Sequence, residues 1–175
     1  IKKQKLVNQN KKRKEFVVEK LISFKSTKGV QFHLLPFDGY KFTYHLAYEN
    51  IKILNQKYSI ELEKNNYFNE IASCKTFCLL SELLYLHEQN LIKGGSLKNA
   101  VVYIDQKINK EQEQKINELF KTKINYNKPI LSNVDSISNN EAAKHKLLDL
   151  IGDSSLLGVR IRGHLIASKS GHESN

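Results

Sequence analysis

The chain has 175 residues, of which 40% are hydrophobic and 26% charged, and a formal net charge of +10. That length suits one domain with a proper core, or at most two small ones, and the composition excludes a disordered segment. No apolar run approaches the roughly 18 residues of a membrane span, and the basic, polar start IKKQKLVNQN has no apolar stretch behind it, as a signal peptide would.

Residues 1–14 hold seven Lys or Arg and no acid, which leaves about +3 for the rest of the chain. Such an arm can bind nucleic acid or an anionic membrane surface. It lacks the interleaved aromatics of a single-strand binder, so it reads as a basic linker between domains, with no nucleic acid expected as a partner. The chain starts at Ile1 and has no Met, and KSGHESN at its end follows closely on a candidate functional residue. A piece of a longer protein is therefore expected, with sequence missing at its N-terminus and also beyond residue 175.

EFVVEKLISF (15–24) and GVQFHLLPF (29–37) flank the turn-like KSTKG and read as strands, followed by YKFTYHLAYE (40–49) and the short YSIELE (58–63). Residues 65–89 place Phe68, Ile71, Ala72, Phe77, Leu80, Leu83 and Leu84 at helical spacing, which predicts one long helix. It would carry Cys74 and Cys78, the only cysteines, at i and i+4 as buried thiols, which points to a reducing, cytoplasmic or other intracellular compartment. IKGGS is a turn, and NAVVYI (99–104) a buried strand. Residues 105–128 are polar and low in complexity. They read as an insertion with one short surface helix around Ile116, Leu119 and Phe120, expected to add little to the core. Asn140 and Glu141 open a helix containing KHKLLDLIGD (144–153), and VRIRGHLIAS (159–168) is a last strand leading into KSGH. This order predicts an α+β fold: a two-layer sandwich of a mostly antiparallel sheet with helices packed on one face.

In KHKLLDLIGD, His145 and Asp149 lie one turn apart on one helix face, while Leu147, Leu148, Leu150 and Ile151 can take the buried side. An imidazole and a carboxylate so placed can share a divalent metal. They can equally hydrogen-bond to each other on a solvated face, and the spacing leaves both readings open.

Four stretches together carry a more specific signal: EAAKHKLLDLIGD, ASKSGH about twenty residues later, YFNEIASCKTFCLLSELLYL, and LIKGGSLKNAVV. With PFDGYKFTYHLAY they resemble the UDP-3-O-acyl-N-acetylglucosamine deacetylases of lipid A biosynthesis, over all but the basic start and residues 105–128. The resemblance implies the second, C-terminal domain (15–175) of a two-domain zinc amidase that removes the N-acetyl group from a UDP-linked acylated glucosamine. It implies His145 and Asp149 as two of three protein ligands to Zn2+. His172 matches a protonated imidazole that stabilises the oxyanion and delivers a proton to the leaving amine, and Asp153 the carboxylate that holds that ring. Thr76 matches a hydroxyl facing the reacting oxygens, and Lys146 a basic residue near the diphosphate. Phe77, Leu83 and Ile92 fall near the apolar passage for the acyl chain.

The third zinc ligand and a general-base Glu belong to the family's first domain, which is absent from this chain. The fragment alone is therefore expected to be inactive. A degenerate, non-catalytic module that binds anionic partners through its basic arm is the alternative. His33, His45, His87 and His164 have no metal spacing around them.

Overall fold

A computed structural model of the chain describes residues 14–48, 50–91, 96–131 and 137–175. The basic arm therefore lies outside the described residues, apart from Lys14. The alternating stretch VRIRGHLIAS forms β8 (Val159–Ser168), whose two-residue period buries Gly163, Leu165 and Ala167 on one face. β4 (Tyr40–Leu46) runs parallel to β8, with Phe42 opposite Leu165 and Tyr44 opposite Ala167. β3 (Gln31–Leu35) flanks β8 in the antiparallel sense, β2 (Ile22–Lys25) pairs with β3, and β5 (Gln56–Glu61) pairs with β4, giving the order β2-β3-β8-β4-β5. β1 (Lys14–Val17) runs parallel to the first four residues of β8.

The fold is α+β, as its pattern of elements predicts. Within this sheet β2–β3, β3–β8 and β4–β5 are antiparallel, whereas β1–β8 and β4–β8 are parallel. Residues 15–24 are not one strand. The chain leaves the sheet after Val17, buries Val18 and re-enters at Ile22. Val18 sits against Gly163, where a Cβ would lie 2.6 Å from Val18 Cγ2 and 3.0 Å from the Leu35 carbonyl oxygen, so only glycine leaves room for the crossing.

α4 (Glu141–Ser155) covers one face of the sheet. Ala142, Ala143, Leu147 and Leu150 are at most 2% exposed and share one core with Phe42, Tyr44, Leu46, Ile60, Leu165 and Ala167. The helix buries its apolar stripe and leaves the opposite stripe for chemistry.

The predicted helix over 65–89 is broken. α1 (Lys64–Asn66) passes into a π-helical turn (Tyr67–Ile71). The chain then becomes extended as β6 (Thr76–Leu79), and only α2 (Leu80–Glu88) restores a helix. β6 pairs in parallel with β7 (Ala100–Tyr103), Phe77 opposite Val101. An apolar run buried on both faces fits a parallel strand and a buried helix equally by periodicity, and pairing with AVVY decides between them. β7 serves two cores: Val101 and Tyr103 face the α4 core, while Val102 faces a second cluster with Leu80, Leu83, Leu97, Ile116 and Leu131.

Ile116 belongs to α3 (Lys110–Phe120), in the stretch expected to pack little. That expectation is wrong for this helix. Ile116 is fully buried, and Ile108, Phe120, Ile124 and Tyr126 pack against the second cluster. A polar helix needs only a narrow apolar stripe to dock, and Ile116 and Phe120 supply it. Ile116→Ala should cost about 2–5 kcal/mol through lost burial and a residual cavity. Urea unfolding of the full-length protein measures this, and a loss within about 0.5 kcal/mol, as for surface changes, would make α3 peripheral.

Candidate metal and proton-transfer site

The N-terminus of α4 is fixed by Glu141, which sequence reading placed at the helix start without a role. Its carboxylate accepts from the backbone N–H and hydroxyl of Ser138, and from the Lys75 N–H at 2.9 Å. The first two contacts tie Glu141 back to Ser138, three residues ahead, in the pattern S-x-x-E over 138–141. The third ties β6 to the helix and sets Thr76, which is exposed, next to that joint. Asn140 lies at the boundary with a left-handed backbone and makes no side-chain cap.

One turn further on, His145 Nε2 stands 3.6 Å from Asp149 Oδ1, with both side chains under one fifth exposed. At that separation no hydrogen bond joins them. His145 Nδ1 is also buried without a partner among the described residues. A buried ring nitrogen left without a partner costs about 1–3 kcal/mol. The arrangement fits a divalent metal: two ligands each about 2.0–2.2 Å from a tetrahedral ion stand about 3.3–3.6 Å apart. Among the described residues there is no group of three or more His, Cys, Asp or Glu that could hold a metal.

β8 ends at Ser168, and Lys169 takes a left-handed backbone that turns the chain back over α4. The buried Tyr44 hydroxyl donates to the Ser170 carbonyl at 2.6 Å and pins this turn. Burial raises the Tyr44 pKa against the lowering effect of that contact, and the Asp149 charge adds to the rise. The turn brings His172 above the helix. Its Nδ1 lies 2.8 Å from Asp153 Oδ2, and its Nε2 lies 3.9 Å from Asp149 Oδ2. Lys146 Nζ is 3.7 Å from Asp149 Oδ2, and a Cβ built on Gly171 would lie 3.8 Å from the same ammonium. The structure thus gathers His145, Lys146, Asp149, Asp153 and His172 at one place, with His172 the most open of them at 71% exposed.

Burial alone would raise the Asp153 pKa. Hydrogen bonds from Asn175 and His172 and the charges of His172 and Lys146 outweigh it and hold the carboxyl below its ordinary value. Such a group contributes stability that is present above its unfolded pKa and is lost as pH falls through the folded one. Asp153→Asn should therefore flatten the decline of stability on acidification below about pH 5, where an ordinary unfolded carboxyl begins to take up protons. Thermal melting against pH reads this, and an unchanged decline would contradict it.

Phe77 is half-buried, edge-on to Tyr103 with ring centroids 5.8 Å apart. Leu83 is 3% exposed inside the second core, so its side chain is taken up by packing. Ile92 lies outside the described residues. Cys74 and Cys78 are partly buried and free, on the π-helical turn's exit and on β6 rather than on one helix, and burial pushes both thiols up to about 11. His164 lies on the sheet face away from Leu165, with Nε2 2.7 Å from Thr43 Oγ1. Burial first, then the charges of Lys41 and Lys57, lower its pKa.

A cavity of about 760 Å³, lined in part by Tyr40, Tyr67, Phe68, Ile151 and Ile161, is separate from this cluster. Ile151 lies about 200° around the helix from Asp149. No helix among the described residues is long and apolar enough to cross a membrane.

Comparison with known proteins adds the context of a family. A family model described as UDP-3-O-acyl N-acetylglycosamine deacetylase matches residues 1–125 and 124–175. A UDP-3-O-acyl-N-acetylglucosamine deacetylase of Syntrophus aciditrophicus (strain SB) is 38% identical, over 95% of this chain and 46% of its own length. One from Thermodesulfovibrio yellowstonii is 35% identical, over 87% of this chain and 47% of its own. The bifunctional enzyme LpxC/FabZ of Chlorobaculum tepidum is 31% identical, over 97% and 38%. The chain thus spans less than half the length of these relatives.

Proposed function

Because the chain belongs to the UDP-3-O-acyl N-acetylglycosamine deacetylase family, we propose that the protein containing it removes the N-acetyl group of UDP-3-O-acyl-N-acetylglucosamine, an early step of lipid A biosynthesis. The observation that carries the reading is the convergence of three groups. His145 and Asp149 form a two-donor pair 3.6 Å apart, and His172 is held by Asp153 immediately beside it. In this reading residues 15–175 are the second domain. An upstream domain supplies the third zinc ligand and the general base, and residues 1–14 are the linker between them.

His145 and Asp149 would hold Zn2+. When bound, zinc polarises the amide carbonyl and supplies an activated water. The remaining chemistry belongs to this chain's own side chains. Asp153 accepts from His172 Nδ1–H, which fixes the ring. The Nε2–H of His172 then points to the metal pair's side. There it stabilises negative charge developing on the carbonyl oxygen, and it gives its proton to the leaving amine. The Lys146 ammonium, beside Asp149 and under the Gly171 turn, meets the diphosphate of the nucleotide. The Thr76 hydroxyl faces the reacting oxygens, and Phe77 borders the acyl chain.

A non-catalytic binding module would have no use for an imidazole oriented by a carboxylate at 2.8 Å, and that contact favours the enzyme. Acetate release from UDP-3-O-acyl-N-acetylglucosamine by the full-length protein tests the reading. Turnover that is lost with a chelator and restored by zinc is expected. A folded, zinc-replete protein with no acetate release would leave the binding module in its place.

A further inference from the structure

We propose that Asn175 is a positioning residue for the proton-transfer pair, its side-chain amide holding the Asp153 carboxylate in the orientation that His172 uses. Its Nδ2 donates to Asp153 Oδ2 at 2.9 Å, the same oxygen that lies 2.8 Å from His172 Nδ1. The geometry follows from the local chain. The Gly171 carbonyl accepts from the Ser174 N–H and the Asn175 N–H, both at 2.8 Å, and from the Ser174 hydroxyl at 3.1 Å. The Ser174 hydroxyl oxygen in turn accepts from the Gly171 N–H at 3.0 Å. These bonds wind residues 171–175 into a single closed turn. Residues three apart on such a turn lie on one face, so His172 and Asn175 descend together on one carboxylate oxygen of α4.

A carboxylate with one bonded oxygen can rotate about its Cβ–Cγ bond and carry the imidazole with it. A second donor on the same oxygen removes that freedom. Asp153 Oδ2 then has both its donors fixed by one turn, and that turn is itself anchored through Ser170 to the buried Tyr44 hydroxyl. His172 is 71% exposed and has little packing of its own to orient it, so its aim depends on this oxygen. Groups that orient a functional side chain from behind typically cost about 10–100-fold when lost.

The inference rests on the proposed deacetylase reading, and a double-mutant cycle in the full-length protein separates the two. Asn175→Ala is expected to lower kcat about tenfold at unchanged KM and unchanged zinc content. In an Asp153→Ala background the same change is expected to cost nothing further, because the contact it removes is already gone. Asn175→Asp, which sets a carboxylate against Asp153, should be worse than Asn175→Ala. The side-chain amide resonances of Asn175 in ¹⁵N-labelled protein should shift on Asp153→Ala, a readout independent of turnover. Full kcat in Asn175→Ala, or additive losses in the double variant, would overturn the positioning role while leaving the deacetylase reading intact. Full kcat in Asp153→Ala and His172→Ala as well would overturn both.

Discussion

Replacing His145 or Asp149 with Ala in the full-length protein is expected to abolish zinc-dependent deacetylation together with stoichiometric zinc. Each change removes a donor from a pair only 3.6 Å apart, and a catalytic site of three protein ligands does not hold zinc well on two. The two variants should still differ. Asp149 also lies within 4 Å of Lys146 and His172, so its loss takes the carboxylate from beside Lys146 and leaves His172 with Asp153 alone. His145 Nδ1 is buried without a partner among the described residues, so truncating it relieves an unsatisfied group while removing a metal donor. Metal analysis and unfolding, measured on the same preparations, read these effects. Full zinc content in His145→Ala would remove this residue from the ligand set.

His172→Ala is expected to fail differently. Zinc should stay bound, since His172 Nδ1 is committed to Asp153 rather than to the metal pair. Turnover should fall by about a hundred- to ten-thousandfold, the usual range for a proton-transfer group. One limb of the pH–rate profile should vanish with it, because the proton donor is gone. A variant that lost its zinc instead would exchange the roles of His172 and His145.

How much of this was legible depended on the kind of order each residue obeys. His145, Asp149 and Asp153 are spaced by four, and helix geometry alone puts them on one stripe. The strand alternation of VRIRGHLIAS fixed β8 to its observed ends, and so fixed where KSGH would emerge. Tyr44 looked like one more apolar residue of an alternating strand, and nothing local shows that its hydroxyl reaches a carbonyl 126 residues away. Asn175 was illegible for the same reason, because its partner on α4 is chosen by a turn rather than by a period. Glu141 was legible in principle through Ser138, three residues ahead. The errors at 65–89 and in α3 share one cause. Short apolar runs do not declare whether they will pair as a strand or dock as a helix until their partners, AVVY and the Leu80–Leu83 cluster, are in place. Leu83 matched a passage-lining position by resemblance, yet the second core holds it.

The position of the metal is the most direct test of the site. Anomalous diffraction at the zinc edge from crystals of the full-length protein should give one peak about 2.0–2.2 Å from both His145 Nε2 and Asp149 Oδ1, with a third ligand from residues upstream of this chain and His172 outside bonding distance. A peak bound by His172, or a fully loaded protein whose zinc lies away from His145 and Asp149, would contradict the assignment of ligands and proton donor together.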